Sequence, residues 1–472
     1  MRTNTNAKPH RAAAPLRART VLEWLVTGML ALFVSGCAVD GLIGNVELPD
    51  NVTDPSVTKT PKGALRAYYG TLETFYRALA AGDHNGYITI AGLFTDELQW
   101  TDPGIVAGGL PSVDRRDTGL DPEGQDHWEF VYSNLHRVRG QAAQAIGLQK
   151  EYAPDSLVAL TGHLYALQAY AEIFLADLFC SGIPLSTLDY KGDFTFRPGS
   201  TTDQVYEHAL ALLDTALTFS GDSVRFKYLA QVGQARALLN LGRFTDAATA
   251  VAEVPDNFSY SVAFDGVNVN LFSVVNPNRV NGPAWSYTVS DIEGINGLDY
   301  QTSGDPRTKT SPVTGLSGIT IHHPNKYGTD GSGQVVLASG IEARLIEAEA
   351  ALNDGDPTWL DKLNHLRQTM WTTIVPAVAG PLPDLVDPGT DEARVDLLYR
   401  ERAFWLFLTG QRQGDLRRLI RHYGRMQDQV YPTGSYLGAV GAGLRYDSYV
   451  DLPVPDAERI SNPYYDGCFS RS

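Results

Sequence analysis

RFKYLAQVGQARALLNLGRFTDAATAVAE, residues 225–253, decides the fold. Ala235, Leu238, Gly242, Ala247 and Val251 recur along it, and Pro255 closes the unit. Apolar residues three to four apart make one face of a helix. Small side chains at Ala235 and Ala247 let two antiparallel helices approach closely, and Gly242 supplies the turn between them. The spacing is that of a tetratricopeptide-type helix pair. Weaker echoes stand at Leu160-Thr161-Gly162 with Tyr165, and at Ala348, Ala351 and Gly355 with Leu360. One match fits an ordinary helical hairpin equally well. Several along one chain predict an all-α fold, a degenerate helix-pair solenoid.

Outward from this hairpin, helical patterns cover about 126–150, 155–179, 202–219, 225–241, 243–253, 337–353, 357–369, 391–409 and 411–423. The period begins at Pro61. Ala64, Tyr68, Leu72, Phe75, Tyr76 and Leu79 share a face there, and Gly82 marks a stop. Residues 83–125, 256–336, 370–390 and 424–472 lack the period. A structureless loop as long as 256–336 is rare inside a domain, so short strands and turns are expected within it. Residues 61–472 therefore read as a single domain with large irregular insertions, and loops on a rigid helical scaffold are where binding surfaces usually lie.

The N-terminus reads differently. Arg2, Lys8, Arg11, Arg17 and Arg19 precede an apolar run from Val21 to Val34, followed by Val34-Ser35-Gly36-Cys37. A basic start, a short apolar run and small residues before a cut describe an export signal. The run is shorter than the roughly 20 apolar residues of a membrane-spanning helix. The last four residues resemble the lipobox of bacterial lipoproteins. That resemblance implies removal of 1–36, acylation of Cys37 and a lipidated tether over 37–60.

The formal net charge is -16. The leader carries five basic residues and one acid, a net +4, so its removal leaves -20. Such a chain repels phosphate backbones, which excludes nucleic acid as a partner, and it disfavours broad contact with anionic headgroups. Lipid is then the only membrane attachment. The remaining cysteines, Cys180 and Cys468, are disulfide candidates in an exported protein, the alternative being two buried unpaired thiols.

The chain carries no nucleophile elbow, zinc-protease motif, paired-cysteine motif, phosphate loop or dinucleotide fingerprint, and no cofactor or metal is expected. His322-His323 lacks further ligands nearby, and Asp330-Gly331-Ser332-Gly333 lacks the alternating acids of a calcium loop. Asp96-Glu97 and the helical trio Glu342, Glu347 and Glu349 are poor candidates for acid/base work. Aromatic residues offer a better lead. Trp100, Trp285, Tyr287 and Tyr300 stand in irregular, polar stretches, where rings could stack on the C–H face of a sugar. The alternative is that they plug the core between loop and solenoid.

A series of motifs follows in order: Asp177-Leu178-Phe179-Cys180-Ser181-Gly182-Ile183-Pro184-Leu185-Ser186, Ala343-Arg344-Leu345-Ile346-Glu347-Ala348-Glu349-Ala350 and Leu363-Asn364-His365-Leu366-Arg367. Then come Arg400-Glu401-Arg402-Ala403-Phe404-Trp405, Gly410-Gln411-Arg412, Asp415-Leu416-Arg417-Arg418, Leu452-Pro453-Val454-Pro455 and Asn462-Pro463. With the lipobox, this set resembles the SusD/RagB family of outer-membrane nutrient-binding lipoproteins, over essentially the whole mature chain. The resemblance implies four tetratricopeptide-like helix pairs and an irregular ligand-facing half. It also implies surface exposure on the outer membrane and a SusC-like TonB-dependent transporter as partner. Gln413-Gly414 stands where the family usually has an aromatic residue after the arginine, which marks a divergent branch. Arg402, Arg412, Arg417 and Arg418 are read as exposed partners of Glu401, Asp415 and neighbouring acids, worth ~0–1 kcal/mol per pair.

The expected function is capture of a glycan or other oligomeric nutrient without covalent chemistry. Two rivals differ in class: a tetratricopeptide scaffold lipoprotein that binds envelope proteins, and a helical glycoside hydrolase. Neither requires the C-terminal motif series.

Overall fold

The computed structural model describes residues 58–80, 86–101, 110–117, 122–189, 193–264, 287–315, 318–327, 333–436, 438 and 443–469. All lie in one compact unit, Thr58–Ser472. The leader, Cys37, most of the tether, Gly82, Trp285 and Asp330-Gly331-Ser332 lie outside the described residues.

Eleven helices are named here: α1 (Pro61–Ala80), α2 (Tyr87–Phe94), α3 (Pro122–Tyr152), α4 (Val158–Leu178), α5 (Thr202–Phe219) and α6 (Val224–Asn240). They continue with α7 (Phe244–Val251), α8 (Gly340–Asn353), α9 (Thr358–Thr369), α10 (Asp391–Trp405) and α11 (Arg412–Tyr423). From α3 to α9 each helix packs on the next, which makes the expected solenoid; α1 lies on α3.

Local chemistry sets these elements. Thr201 caps α5 in a capping box with Gln204, the Thr201 hydroxyl accepting from the Gln204 N–H at 3.2 Å and the Gln204 amide oxygen from the Thr201 N–H at 2.8 Å. Val205, Tyr206, Ala209, Leu213 and Ala216 then form one buried stripe. Between α6 and α7, Gly242 takes φ 73°, and a Cβ there would sit 2.9 Å from the His422 ring. Ala235 and Ala247 are fully buried at that contact. A glycine at 233 has the same use, because a Cβ would lie 3.0 Å from Leu213 of the neighbouring helix.

The insertions depart from expectation in carrying helices, among them the short Gln427–Val430 and Asp456–Ser461 within 424–472. Residues 83–125 contain α2 and a short helix, Leu110–Asp114, where no helix is expected. The α2 sequence YITIAGLF is buried at every position. A helix apolar all round has no amphipathic period to detect.

Short strands do occur in the large insertion. β1 (Leu98–Trp100) stands in the 83–125 insertion, and β2 (Ser259–Val262), β3 (Tyr287–Val289), β4 (Thr310–Thr314), β5 (Thr320–Pro324) and β6 (Val335–Ser339) stand in the large one or at its end. All pairs are antiparallel: β1 with β3, β2 with β6 and β4 with β5. Because β6 runs directly into α8, the β2–β6 pair is fixed to the solenoid. Helices α10 and α11 close over α8 and over α2 and α4 respectively. A disulfide joins Cys180 to Cys468 with a Cα–Cα distance of 5.8 Å and a sequence separation of 288.

Candidate functional site

Helix α10 stops at Trp405, short of the expected 409, because Leu408 turns into the left-handed region at φ 51°. That conformation strains a leucine, and the surrounding groups hold it there. Its N–H donates to Glu97 at 2.7 Å, and its carbonyl accepts from the Tyr327 hydroxyl at 2.5 Å. The Phe407 carbonyl accepts from Lys326 at 2.5 Å and the Gly410 carbonyl from Tyr87 at 3.0 Å. The turn from α10 to α11 is thereby fixed by side chains from α2, β1's edge and the large insertion.

Against this turn opens a cavity of about 350 Å³. Its floor is apolar: Phe404, Trp405 and Leu406 at the end of α10, with Met370 and Ile374 following α9. Its rim is polar and exposed at Asn257, Ser259 and Gln334. Arg307 lines one wall and is held by two carboxylates, Asp305 at 2.7 and 2.9 Å and Glu401 at 2.7 and 3.0 Å. Its guanidinium lies 4.9 Å from the Trp405 ring centre, a cation–π contact that fixes the indole. Trp405 is 8% exposed, yet its indole N–H has no hydrogen-bond acceptor among the described residues. Lys326 also lines the cavity, and burial lowers its pKa to about 8.

A second concavity, a groove of about 560 Å³, lies between α3, the hairpin of Thr187–Leu188 with Phe194–Thr195, and the turn Asp456–Ser461. Phe194 and Phe196 stand exposed on it, edge to face at 4.8 Å. The sequence analysis named no ligand-binding candidate here, although Pro184, Ser186 and Pro455 of its quoted motifs line the groove.

The rings chosen from the sequence are elsewhere. Trp100 is fully buried and pairs in register with Tyr287, itself 4% exposed. Tyr300 is buried between Phe404 and Phe407, with ring centres 5.4 and 5.0 Å away. These three are core rings that seat the insertion on the helices, and they offer no face to a sugar. The correction has a simple cause: a Gly-, Asn- and Pro-rich setting marks irregular backbone, and irregular backbone still has to be glued down.

Neither concavity is lined by the acids considered for catalysis. Asp96 holds Arg412 at 2.7 and 2.9 Å, Glu342 holds Arg236 at 2.9 and 3.0 Å, and Glu347 pairs with Arg344 at 3.1 Å. His323 is buried on β5, where desolvation takes its pKa down to about 4, and His322 lies 3.3 Å from the Thr310 hydroxyl. Among the described residues no group of three or more His, Cys, Asp or Glu could hold a metal ion. One acid pair escaped the sequence reading. Burial raises Asp114 to about 7 against hydrogen bonds from Tyr436 and the Trp100 N–H; burial and Asp114 raise Glu293 as well.

Comparison with solved structures places this arrangement. A SusD homolog from Bacteroides thetaiotaomicron aligns with a TM-score of 0.62 at 14% identity, over 88% of this chain and 99% of that one. A SusD-like carbohydrate binding protein from Bacteroides vulgatus gives 0.60 at 15%, over 86% and 97%. A SusD-like protein from Bacteroides fragilis gives 0.60 at 15%, over 89% and 99%. The chain has the SusD-like fold. No protein-family model and no curated protein matches the sequence.

Within this SusD-like fold the motif arginines prove to be internal. Arg402, Arg412, Arg417 and Arg418 are all buried, which corrects their reading as exposed pairs. Arg418 grips Glu349 with two bonds of 2.9 Å and Asp415 with a third; Arg402 takes Asp415 at 2.8 and 2.8 Å. Arg417 donates to the carbonyls of Ala176, Asp177 and Phe179 at the end of α4. The buried pair Arg418–Asp415 and the exposed pair Arg459–Asp456 share the same i, i+3 spacing, and the other buried partners lie 13 to 316 positions away, so sequence alone does not reveal the burial. The SusD-like motif series thus fastens α10 and α11 to the solenoid.

Proposed function

We propose that the chain is a divergent SusD-type nutrient-binding lipoprotein. It captures a glycan or other oligomeric nutrient at the cell surface and passes it to a SusC-like TonB-dependent outer-membrane transporter. The observation that carries this reading is the cavity at the α10–α11 turn. Its aromatic and aliphatic floor, polar rim and volume suit a small organic ligand. It sits in the insertions of a fold whose similar structures include a carbohydrate binding protein. The lipobox at Cys37 supports removal of 1–36 and a lipid anchor, with 37–60 as tether and 61–472 as the binding domain. No described helix is long and apolar enough to cross a membrane. Of the candidate acids, Asp96, Glu342, Glu347 and Glu349 are engaged by arginines and Glu97 accepts from the Leu408 N–H, and none of the five lines either concavity, which supports binding without bond cleavage.

Calorimetric titration with a panel of oligosaccharides tests the proposal. Binding with a Kd of roughly 1 μM–1 mM that weakens in Trp405→Ala is expected. Silence across the panel, together with tight capture of a peptide, would overturn it in favour of the scaffold reading. Copurification with a large barrel from outer membranes tests delivery, and radiolabelled palmitate incorporation lost in Cys37→Ser tests the anchor.

A further inference from the structure

We infer that one face of α1 lies on anionic lipid headgroups, with Lys59, Lys62 and Arg66 meeting their charge and Tyr69 seated at the interface. This builds on the lipid anchor proposed above and adds which side of the domain turns to the membrane.

Lys62, Arg66 and Tyr69 follow at i, i+4 and i+7 on one side of α1, and Lys59 stands just before the helix. All four are exposed, Tyr69 at 58%. The opposite side, Ala64, Tyr68, Thr71 and Phe75, is buried. No acid occurs between Asp54 and Glu73, in a sequence with 54 of them. Among the described residues no ion pair joins Lys59, Lys62 or Arg66 to a carboxylate. Other exposed cations have one: Arg77 has Glu73 at 3.4 Å, Lys227 has Glu253 at 2.7 Å and Arg243 has Asp246 at 3.0 Å.

Helix stability does not explain the placement. Cations at a helix start oppose the macrodipole, and α1 has no acid in its first turn to offset them. The end of α3, packed beside α1 where Ala142, Ala145 and Ile146 meet Tyr68, carries Lys150 and Glu151 and is followed by Asp155. Those three sum to -1 against +3 from Lys59, Lys62 and Arg66, so a local excess of +2 remains on a mature chain of -20.

Position supplies the occupant. Lys59 directly follows the tether, so of all the described surface this face is joined to Cys37 by the shortest stretch of polypeptide. Negative charge farther away than the Debye length of ~8 Å is largely screened, which lets a narrow contact form on a chain that avoids broad ones. Each Lys or Arg near an anionic membrane surface strengthens the contact by a factor of roughly 5. A tyrosine suits the same boundary, with its ring in the apolar layer and its hydroxyl in water.

The test uses the acylated chain itself, reconstituted into vesicles of phosphatidylcholine alone or of phosphatidylcholine with phosphatidylglycerol. A membrane-impermeant amine reagent then maps lysine reactivity by mass spectrometry, and flotation with both kinds of vesicle checks the anchor. Lys59 and Lys62 are expected to react at least ~5-fold more slowly on the anionic vesicles, and the exposed Lys309 equally on both. Protection should fade as salt rises and weaken in Arg66→Gln. Equal reaction of Lys59 and Lys62 on the two kinds of vesicle, or slowing of Lys309 as large as theirs, overturns the assigned face and leaves the anchor standing. A chain that floats with neither overturns the anchor and this inference together.

Discussion

Two buried helices that pack on each other hold the molecule together by opposite means. Helix α2, YITIAGLF, is apolar at nearly every position and vanishes into the core. Helix α11, RQGDLRRLIRHY, packs against it with eight consecutive residues buried, Arg412 to Leu419, four of them charged. A difference of degree separates the stack α3–α9, filled mainly by Ala, Leu and Gly with the buried pairs Arg139–Glu172 and Arg236–Glu342 among them, from the closing pair α10–α11, pinned by Glu349, Asp415 and their arginines. Apolar burial is non-directional and tolerates drift between neighbours. A two-pronged arginine–carboxylate contact does not, because its donors form a fixed fork. The solenoid supplies bulk stability, and the charged layer sets where the α10–α11 turn, and hence the cavity floor, comes to rest.

The contrast can be broken at either end. Glu349→Ala leaves the buried Arg418 and Arg402 to share Asp415 as their remaining counter-charge and should cost about 3–5 kcal/mol in urea unfolding. Leu213→Ala in the stack should cost about 2–4 kcal/mol through transfer and cavity terms, with little dependence on pH.

Smaller and sharper is the pH response. Burial pushes the Glu349 and Asp415 carboxyls up, but Arg418 and Arg402 outweigh it and hold both below the usual carboxylate range. Their contribution is present at neutral pH and is lost as pH falls through those lowered values. Asp114 has the opposite sign. With its folded pKa near 7, its contribution is full below its unfolded value of ~4 and is lost as pH rises through about 7. Tm measured from about pH 4 to 8 should therefore decline less in Asp114→Asn than in the parent chain. Smallest of all, Arg77→Ala removes an exposed pair with Glu73 and should change stability by less than ~0.5 kcal/mol. A large effect there would mean that surface charge matters as much as buried charge.

Legibility in the sequence follows the same division. The stack was readable because its helices keep one wet face: the pattern over 202–219 coincides with α5, and the 225–253 hairpin appears as α6, Gly242 and α7. Helix α2 has no wet face and so gave no period. The arginines were visible as a motif, but their burial depends on which distant acids meet them: Arg412 finds Asp96 across 316 positions. The cavity was hardest to foresee. Trp405 stood within a quoted motif, yet nothing local distinguishes a helix-end indole that faces a void from Trp100, which faces the core. Only the meeting of β2, β6 and the α10–α11 turn tells them apart.

The bridge between Cys180 and Cys468 turns most of the polypeptide into a covalent ring. A protease that cuts once anywhere between them yields two pieces that still migrate as one until a reductant is added. A nick in an exposed insertion therefore need not release a fragment. It opens the ring and leaves both ends attached to the same helical stack.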